Sequence, residues 1–343
     1  MEYTKLRDIP KTLGIKEGDK VFVSSAIRDV VHMCKDKGDD YDLNVLIDAF
    51  IQAVGKEGTV LFPTYNWDWC KGDAFDYRST PSKVGALSQV ALEREDFKRT
   101  KHPIYSFAVW GKDQEYLCSL SNTSAFGADS PFRFFKENNV INVVINCKFA
   151  NSFTFVHYVE EELIDRVKYR YLKDFEAEYT DEEGRTEKRK YQMCVRSYAY
   201  DVTEKVDDFE PLWIEAGAQE NKYINGIKYA IINLSKTYPV IKKDILENSS
   251  RCLCSYKGQD GEPLTLEQEV TGLFKEIGST FEGVNAGNPY NKLSVLKSYI
   301  PALEIKTEEA YEGLIGELRL EDGRRILMIP GNADSKQMVI KYE

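Results

Sequence analysis

The sequence predicts an α/β protein: a mixed, mostly parallel central sheet flanked by helices, with a hairpin-containing region and a small appended C-terminal unit. Three observations carry this reading. Short continuous apolar runs at residues 21–25 and 59–64 flank an amphipathic stretch at 43–54. Strand, helix and strand at that spacing make a parallel unit whose strands are buried on both faces. Residues 166–200 hold strand-like runs around Asp181-Glu182-Glu183-Gly184-Arg185, a hairpin turn signal. From about residue 255 the character changes, with the linker-like Gln259-Asp260-Gly261-Glu262-Pro263.

The elements follow in order. Residues 1–20 hold a short helix ending at Gly18-Asp19, and the strand 21–25 comes next. The helix 43–54 is stopped by Gly55 and Gly58. After the strand 59–64, residues 65–80 form a polar and aromatic loop, and a helix over 84–92 has Ser82 as its cap. Strands are predicted at 106–110 and 140–145, a helix at 153–163, the hairpin at 166–200, and one more strand and helix across 224–237. Beyond residue 255 come a helix at 264–277, Gly- and Asn-rich segments, a charged helix, and a terminal hairpin around Glu321-Asp322-Gly323. The division expected is a main domain over 1–254 and an appended α+β unit over 255–343.

Composition narrows the function classes. A net charge of −10 lacks the basic surface that general nucleic-acid binding needs, and it suits a cationic substrate. No apolar stretch approaches the roughly 20 residues that span a bilayer, and the N-terminus has no apolar signal core. A cytoplasmic protein is expected. Seven cysteines at scattered spacings fit reduced thiols, and Cys252-Leu253-Cys254 lacks the partners of a metal site, so no metal is expected. There is no G-x-G-x-x-G, no P-loop and no G-x-S-x-G elbow, which disfavours dinucleotide enzymes, P-loop kinases and α/β-hydrolases.

Only three histidines occur. His157 opens a helix-like stretch with Glu160 and Glu161 at i+3 and i+4, on the same face. A base with a carboxylate to orient it is the minimum for deprotonating a nucleophile near neutral pH, although the same pattern also describes a surface ion pair. Asp201 is a third carboxylate that could orient the imidazole. His102 follows Arg99 and Thr100 and precedes Ser106, a basic and hydroxyl cluster able to hold phosphate oxygens or to form a solvated turn. Ser24 and Ser25 end the first strand, where ligands of open α/β sheets gather. His32 has no partner motif.

Taken in order, these pieces resemble the aminoglycoside 3-N-acetyltransferase family. Val21-Phe22-Val23-Ser24-Ser25-Ala26 resembles its first strand and His-Ser-Ser element, with Ser24 where the family often has His. The stretch from Val54 to Thr64 resembles its Gly-x-x-Gly-Thr strand ending in Pro-Thr, and Thr80-Pro81-Ser82-Lys83-Val84-Gly85 its next loop. Arg99-Thr100-Lys101-His102-Pro103-Ile104-Tyr105-Ser106 resembles an Arg-Ser-x-His-Pro-x-x-Ser element. Phe126-Gly127-Ala128-Asp129-Ser130-Pro131 resembles Gly-x-x-Ser-Pro, and the stretch from Asn151 to Glu160 resembles Asn-Thr-x-x-His-x-x-Glu. The resemblance covers about residues 5–250; the rest has no counterpart in a typical antibiotic-modifying member.

The resemblance implies acetyl transfer from acetyl-CoA to an amine of a sugar. His157 would be the base, oriented by Glu160, Glu161 or Asp201. Ser24, Ser25, Arg99, Thr100, His102 and Ser106 would contact coenzyme A. Thr64, Trp67, Asp129 and Tyr169 would meet the acceptor. Transfer is expected to be direct, because no Cys occupies a matched position. Cations and rings interleave over Arg166-Val167-Lys168-Tyr169-Arg170-Tyr171, close after His157, and with Trp67 and Trp69 they favour a nucleotide-linked amino sugar of surface polysaccharide biosynthesis. An aminoglycoside, acetylated for antibiotic resistance, is the alternative acceptor. A non-catalytic binding or assembly protein on the same fold is the alternative of another class. No nucleic-acid or membrane partner is expected, and a homodimer is compatible with this reading.

Overall fold

The structure is a computed structural model. It describes residues 3–265, 268, 272, 293, 297, 302–311, 313–320, 322–330 and 338–343. The chain divides into two compact units, residues 1–195 with 203–255, and residues 196–202 with 256–343.

The first unit is built on a seven-stranded sheet. Its strands are β1 (Lys20–Ser25), β2 (Thr59–Pro63), β3 (Lys98–Arg99), β4 (Phe107–Gly111), β5 (Ile141–Ile145), β6 (Gln219–Ile224) and β7 (Ile227–Asn233), in the order 6-7-5-1-2-4-3. β1 pairs in parallel with β2 and β5, so the parallel part is the centre. β4 runs antiparallel to β2 and β3 to β4, and on the other side β7 runs antiparallel to β5 and β6 to β7. The centre is parallel because Leu43–Val54 carries the chain back across the sheet between β1 and β2. Asp42 caps that helix by accepting from the Asn44 N–H at 2.9 Å. Its Leu46, Ile47, Phe50 and Val54 join Val21, Val23, Val60 and Phe62 in the core. Each such side chain contributes on the order of 1.5–3 kcal/mol by leaving water.

Four expectations change. Arg28–Lys37 is a helix that had no counterpart in the sequence reading; it buries only Val30 and Cys34, too weak a stripe to announce itself. The predicted helix at 84–92 runs Ala86–Glu93 with Gly85 at its N-cap, and Ser82 instead accepts from the Val84 N–H at 3.3 Å, a local turn. Before the helix Leu234–Glu247 lie two strands, not one. β6 and β7 form a hairpin through Asn225-Gly226, both at positive φ (53° and 81°), the pair a tight hairpin turn favours. The charged stretch expected as helix contains the strand Glu304–Glu308 and a single 3-10 turn, Glu309–Tyr311.

Outside the main sheet, Arg170–Thr180 and Thr186–Arg196 form the expected hairpin, extended by Phe75–Asp76 into three strands. The second unit holds a four-stranded antiparallel sheet: Glu304–Glu308, Gly313–Arg319, Arg325–Pro330 and Met338–Tyr342. The terminal hairpin turns at Gly323, as expected. The helix expected at 264–277 falls almost wholly outside the described residues. No described helix is long and apolar enough to cross a membrane.

Candidate active site

The helix Phe155–Glu162 follows the C-terminal end of β5, where the parallel strands of an open sheet gather ligands. Its approach is pinned from two sides. Asp207 accepts from the Phe149 and Ala150 N–H groups at 2.8 and 3.3 Å, and Phe149 and Phe153 pack on the buried Trp213. From β1, Ser24 Oγ reaches Asn142 Oδ1 at 3.3 Å and the Ser152 carbonyl at 3.4 Å. Ser24 therefore ties the strand end to the loop entering the helix, while Ser25 is half-buried beside it.

His157 lies in the first turn of this helix, with 17% of its side chain exposed. Its Nδ1 is 2.7 Å from Oε2 of Glu160, whose side chain is 2% exposed. Burial alone would raise the Glu160 carboxyl. The charge of Arg170, with Nε 2.8 Å from the same Oε2, outweighs burial together with hydrogen bonds from His157 and Tyr169, and holds the carboxyl down at about 2. An ionised carboxylate only accepts, so Nδ1 carries the hydrogen, and in the neutral imidazole the lone pair is at Nε2. This is the tautomer a general base needs.

Glu161 is not on His157. It lies near Ser124 and Asp129, and burial raises its carboxyl. Asp201 belongs to the second unit; it sits at φ 50°, 70% exposed, 3.4 Å from Lys257. The carboxylate held against His157 is therefore Glu160.

An aromatic wall completes the surroundings. The His157 ring meets the edge of Phe126 at 5.3 Å, and Phe126 packs on Tyr105, which packs on Tyr65. Trp67 Nε1 donates to the Tyr105 hydroxyl at 3.3 Å, and Tyr65 shares a 3.0 Å hydrogen bond with Thr154 just before the helix. Trp67 is 37% exposed, so this wall has an accessible face.

The cluster expected around coenzyme A is brought together, but inside the protein. Arg99 is buried over the Phe75 ring and donates to Ser106 Oγ and to the carbonyls of Thr64 and Thr80. Burial pushes its guanidinium down to about 10. Thr100 accepts from the Phe107 N–H, and Thr64 and Ser106 share a 2.8 Å hydrogen bond. His102 Nδ1 faces the N–H groups of Ile104 and Tyr105, and burial pushes its imidazole down to about 3, so it is neutral. Arg99, Thr100, His102, Ser106 and Thr64 thus shape the loops beside the site, because buried groups bonded to backbone are not presented to a phosphate. Tyr169 is 1% exposed and interacts with Glu160, which removes it as an acceptor surface; Asp129 is exposed.

Arg170 was read only as part of an interleaved basic stretch. It opens its strand on the parity of the exposed Leu172, Asp174, Glu176 and Glu178, yet it is buried, where it meets Glu160, Glu204 at 3.5 Å and the Cys194 carbonyl at 3.5 Å. Its inward position and Glu204 carry no local sequence signal, since both depend on how distant strands pair. None of the seven cysteines is in a disulfide. Burial raises every thiol: Cys70, Cys118 and Cys254 to about 12, Cys147 and Cys252 to about 11, and Cys34 and Cys194 upward as well. Among the described residues no group of three or more His, Cys, Asp or Glu could hold a metal ion.

The family model of aminoglycoside 3-N-acetyltransferases matches residues 22–243, a span that includes Ser24, His157, Glu160, Arg170 and Glu204. The chain belongs to the aminoglycoside 3-N-acetyltransferase family. Within the family's reach, the SPbeta prophage-derived aminoglycoside N(3')-acetyltransferase-like protein YokD of Bacillus subtilis is 28% identical over 129 residues, 31% of this chain. That match spans only 45% of YokD's length. Solved structures share the fold. Aminoglycoside acetyltransferase AAC(3)-Xa superposes with a TM-score of 0.59 at 16% identity, over 71% of this chain and 91% of that one. Sisomicin-bound AAC-VIa gives 0.59 at 20% identity, over 71% and 97%. AAC-IIIb in binary complex with CoASH gives 0.58 at 16%, over 72% and 98%.

Proposed function

We propose that the chain is an acetyl-CoA-dependent N-acetyltransferase that acylates an amine of an amino sugar, with His157 as general base and Glu160 as its orienting carboxylate. The observation that carries this reading is the 2.7 Å contact between His157 Nδ1 and a buried, ionised Glu160, on the helix that bears the family's His-x-x-Glu element. AAC-IIIb, on the same fold, was solved with CoASH, and AAC-VIa with sisomicin.

The amine reaches the site protonated and must lose a proton to attack. His157 Nε2 takes it. The amine nitrogen then bonds to the thioester carbonyl carbon, the carbon–sulfur bond breaks, and the coenzyme A thiolate leaves with the electron pair and recovers one proton from His157, while the second proton that the ammonium gives up in becoming an amide passes to solvent. Backbone N–H groups at the β1 end, near Ser24 and Ser25, stabilise the developing oxyanion. The loops held by Arg99, Thr100, His102 and Ser106 position the donor. Trp67 lies on the acceptor side, with Asp129 at its rim, and the raised thiols favour direct transfer over an acyl-enzyme.

The acceptor is of the aminoglycoside kind in this proposal. The net charge of −10 and the exposed Asp129 suit an ammonium. The stretch 166–171 that favoured a nucleotide-linked sugar loses that argument, because Tyr169 and Arg170 are buried. The aromatic wall of Trp67 and Tyr105 keeps a nucleotide-linked amino sugar as the second reading, since a base could stack there. Coenzyme A thiol release, measured with acetyl-CoA against aminoglycosides and UDP- and dTDP-linked amino sugars, separates them. Turnover of aminoglycosides is expected; turnover of nucleotide sugars alone would overturn the choice, and no turnover of any amine would overturn the activity.

A further inference from the structure

We propose that Arg170 is a positioning residue that keeps His157 in its proton-accepting form by sharing Glu160 with it. The inference rests on His157 acting as the base, and it concerns what sets that base's working state.

Glu160 Oε2 is claimed twice, by His157 Nδ1 at 2.7 Å and by Arg170 Nε at 2.8 Å. Both partners of the ion pair are buried, with side chains 2% and 6% exposed. A buried carboxylate facing only an imidazole would favour imidazolium strongly, because the added proton would complete an ion pair. Arg170 has already completed that pair. Protonating His157 then places a positive charge beside a compensated carboxylate and close to a guanidinium. The hydrogen bond still fixes the ring's tautomer and orientation, so the arrangement separates two roles of an orienting carboxylate: direction is kept and charge is cancelled.

The other groups around the pair do not undo this. On the site helix, Glu161 turns toward Ser124 and Asp129. From the hairpin strands, Tyr169 and Cys194 face Arg170 and Glu160, and burial keeps both un-ionised. Cys254, on the strand that pairs with Thr203–Glu204, lies near Tyr169 and is likewise a neutral thiol. Among the described residues Glu204 is the one further carboxylate at Arg170, 3.5 Å from Nη2, and its side chain is 26% exposed. Water screens its charge before that charge reaches His157.

The test is a proton NMR titration of the histidine ring signals, which reads the protonation midpoint of His157 with no turnover. Three histidines make the spectrum simple; His102 stays neutral across the range, and a His157→Asn sample assigns the signal. In Arg170→Gln the His157 midpoint is expected to rise by about one unit or more, the usual scale for an adjacent uncompensated carboxylate, whereas Arg170→Lys restores the wild-type value. The double variant Glu160→Gln/Arg170→Met, which removes both charges and leaves no buried charge unpaired, is expected to titrate within about half a unit of wild type. It keeps the test available where Arg170→Gln does not fold. An unmoved midpoint in Arg170→Gln, or a midpoint more than about one unit lower in the double variant, would show that Arg170 serves only the fold. Failure of the wild type to acetylate any amine would overturn the functional reading, and the titration would still decide the part played by Arg170.

Discussion

His157→Asn removes the lone pair at Nε2 and leaves the surrounding fold in place. The turnover number is expected to fall about 10²–10⁴-fold, the usual contribution of a positioned base, while coenzyme A binding measured by calorimetry stays near wild type. Near-normal turnover would remove His157 from the mechanism. Glu160→Gln has a second effect that a purely orienting residue would not show. It leaves the Arg170 guanidinium buried without its partner, so the protein should lose about 3–5 kcal/mol of stability in urea unfolding along with its activity. A fully stable Glu160→Gln protein would mean that Arg170 draws its compensation from Glu204. His157 and Glu160 could be read from spacing because both lie on one helix turn. Arg170, which meets them across strands, could not.

The helix between β1 and β2 shows what local sequence determines. Its apolar stripe, its Asp42 cap and the Gly55 stop all lie within 14 residues of one another, and the observed span, Leu43–Val54, is the one they predict. Asp42→Ala should cost about 1 kcal/mol by stranding the Asn44 N–H, and Phe50→Ala about 3–5 kcal/mol by opening a cavity under the sheet; chemical denaturation of the two variants checks the ranking. Strand direction was less legible. The run at 106–110 reads as a buried strand whichever way it points, and only the fold sets β4 antiparallel to β2. The β6–β7 hairpin carried a usable signal in Asn225-Gly226, hidden because β6 opens on consecutive polar residues from Gln219 to Lys222. The cluster around Arg99 misleads for a related reason: basic and hydroxyl residues look alike in sequence whether they face a phosphate or the carbonyls of neighbouring loops.

Across the molecule, two buried titratable groups give acid pH the same sign. His102 is neutral in the fold, with its midpoint at about 3, whereas the unfolded chain takes up that proton below about 6.5. Unfolding therefore binds a proton throughout that window, and stability falls as pH drops from about 6.5 toward 3, by a few kcal/mol in all. Glu160, held at about 2, contributes stability above the ordinary carboxylate range that is lost as pH falls toward 2. Urea midpoints should decline steadily from pH 7 to pH 4, and His102→Gln should flatten the part above pH 5; a wild-type profile level over that range would contradict the burial of His102. The thiols carry a consequence for chemistry done beside a thioester. Only a thiolate exchanges acyl groups with a thioester, and midpoints of about 11–12 leave fewer than roughly one in a thousand of those sulfurs ionised near pH 8. Those sulfurs are therefore expected to resist acylation in a bath of acetyl donor, and a dye that captures thiolates in a turnover assay should report the released carrier over a low blank from them.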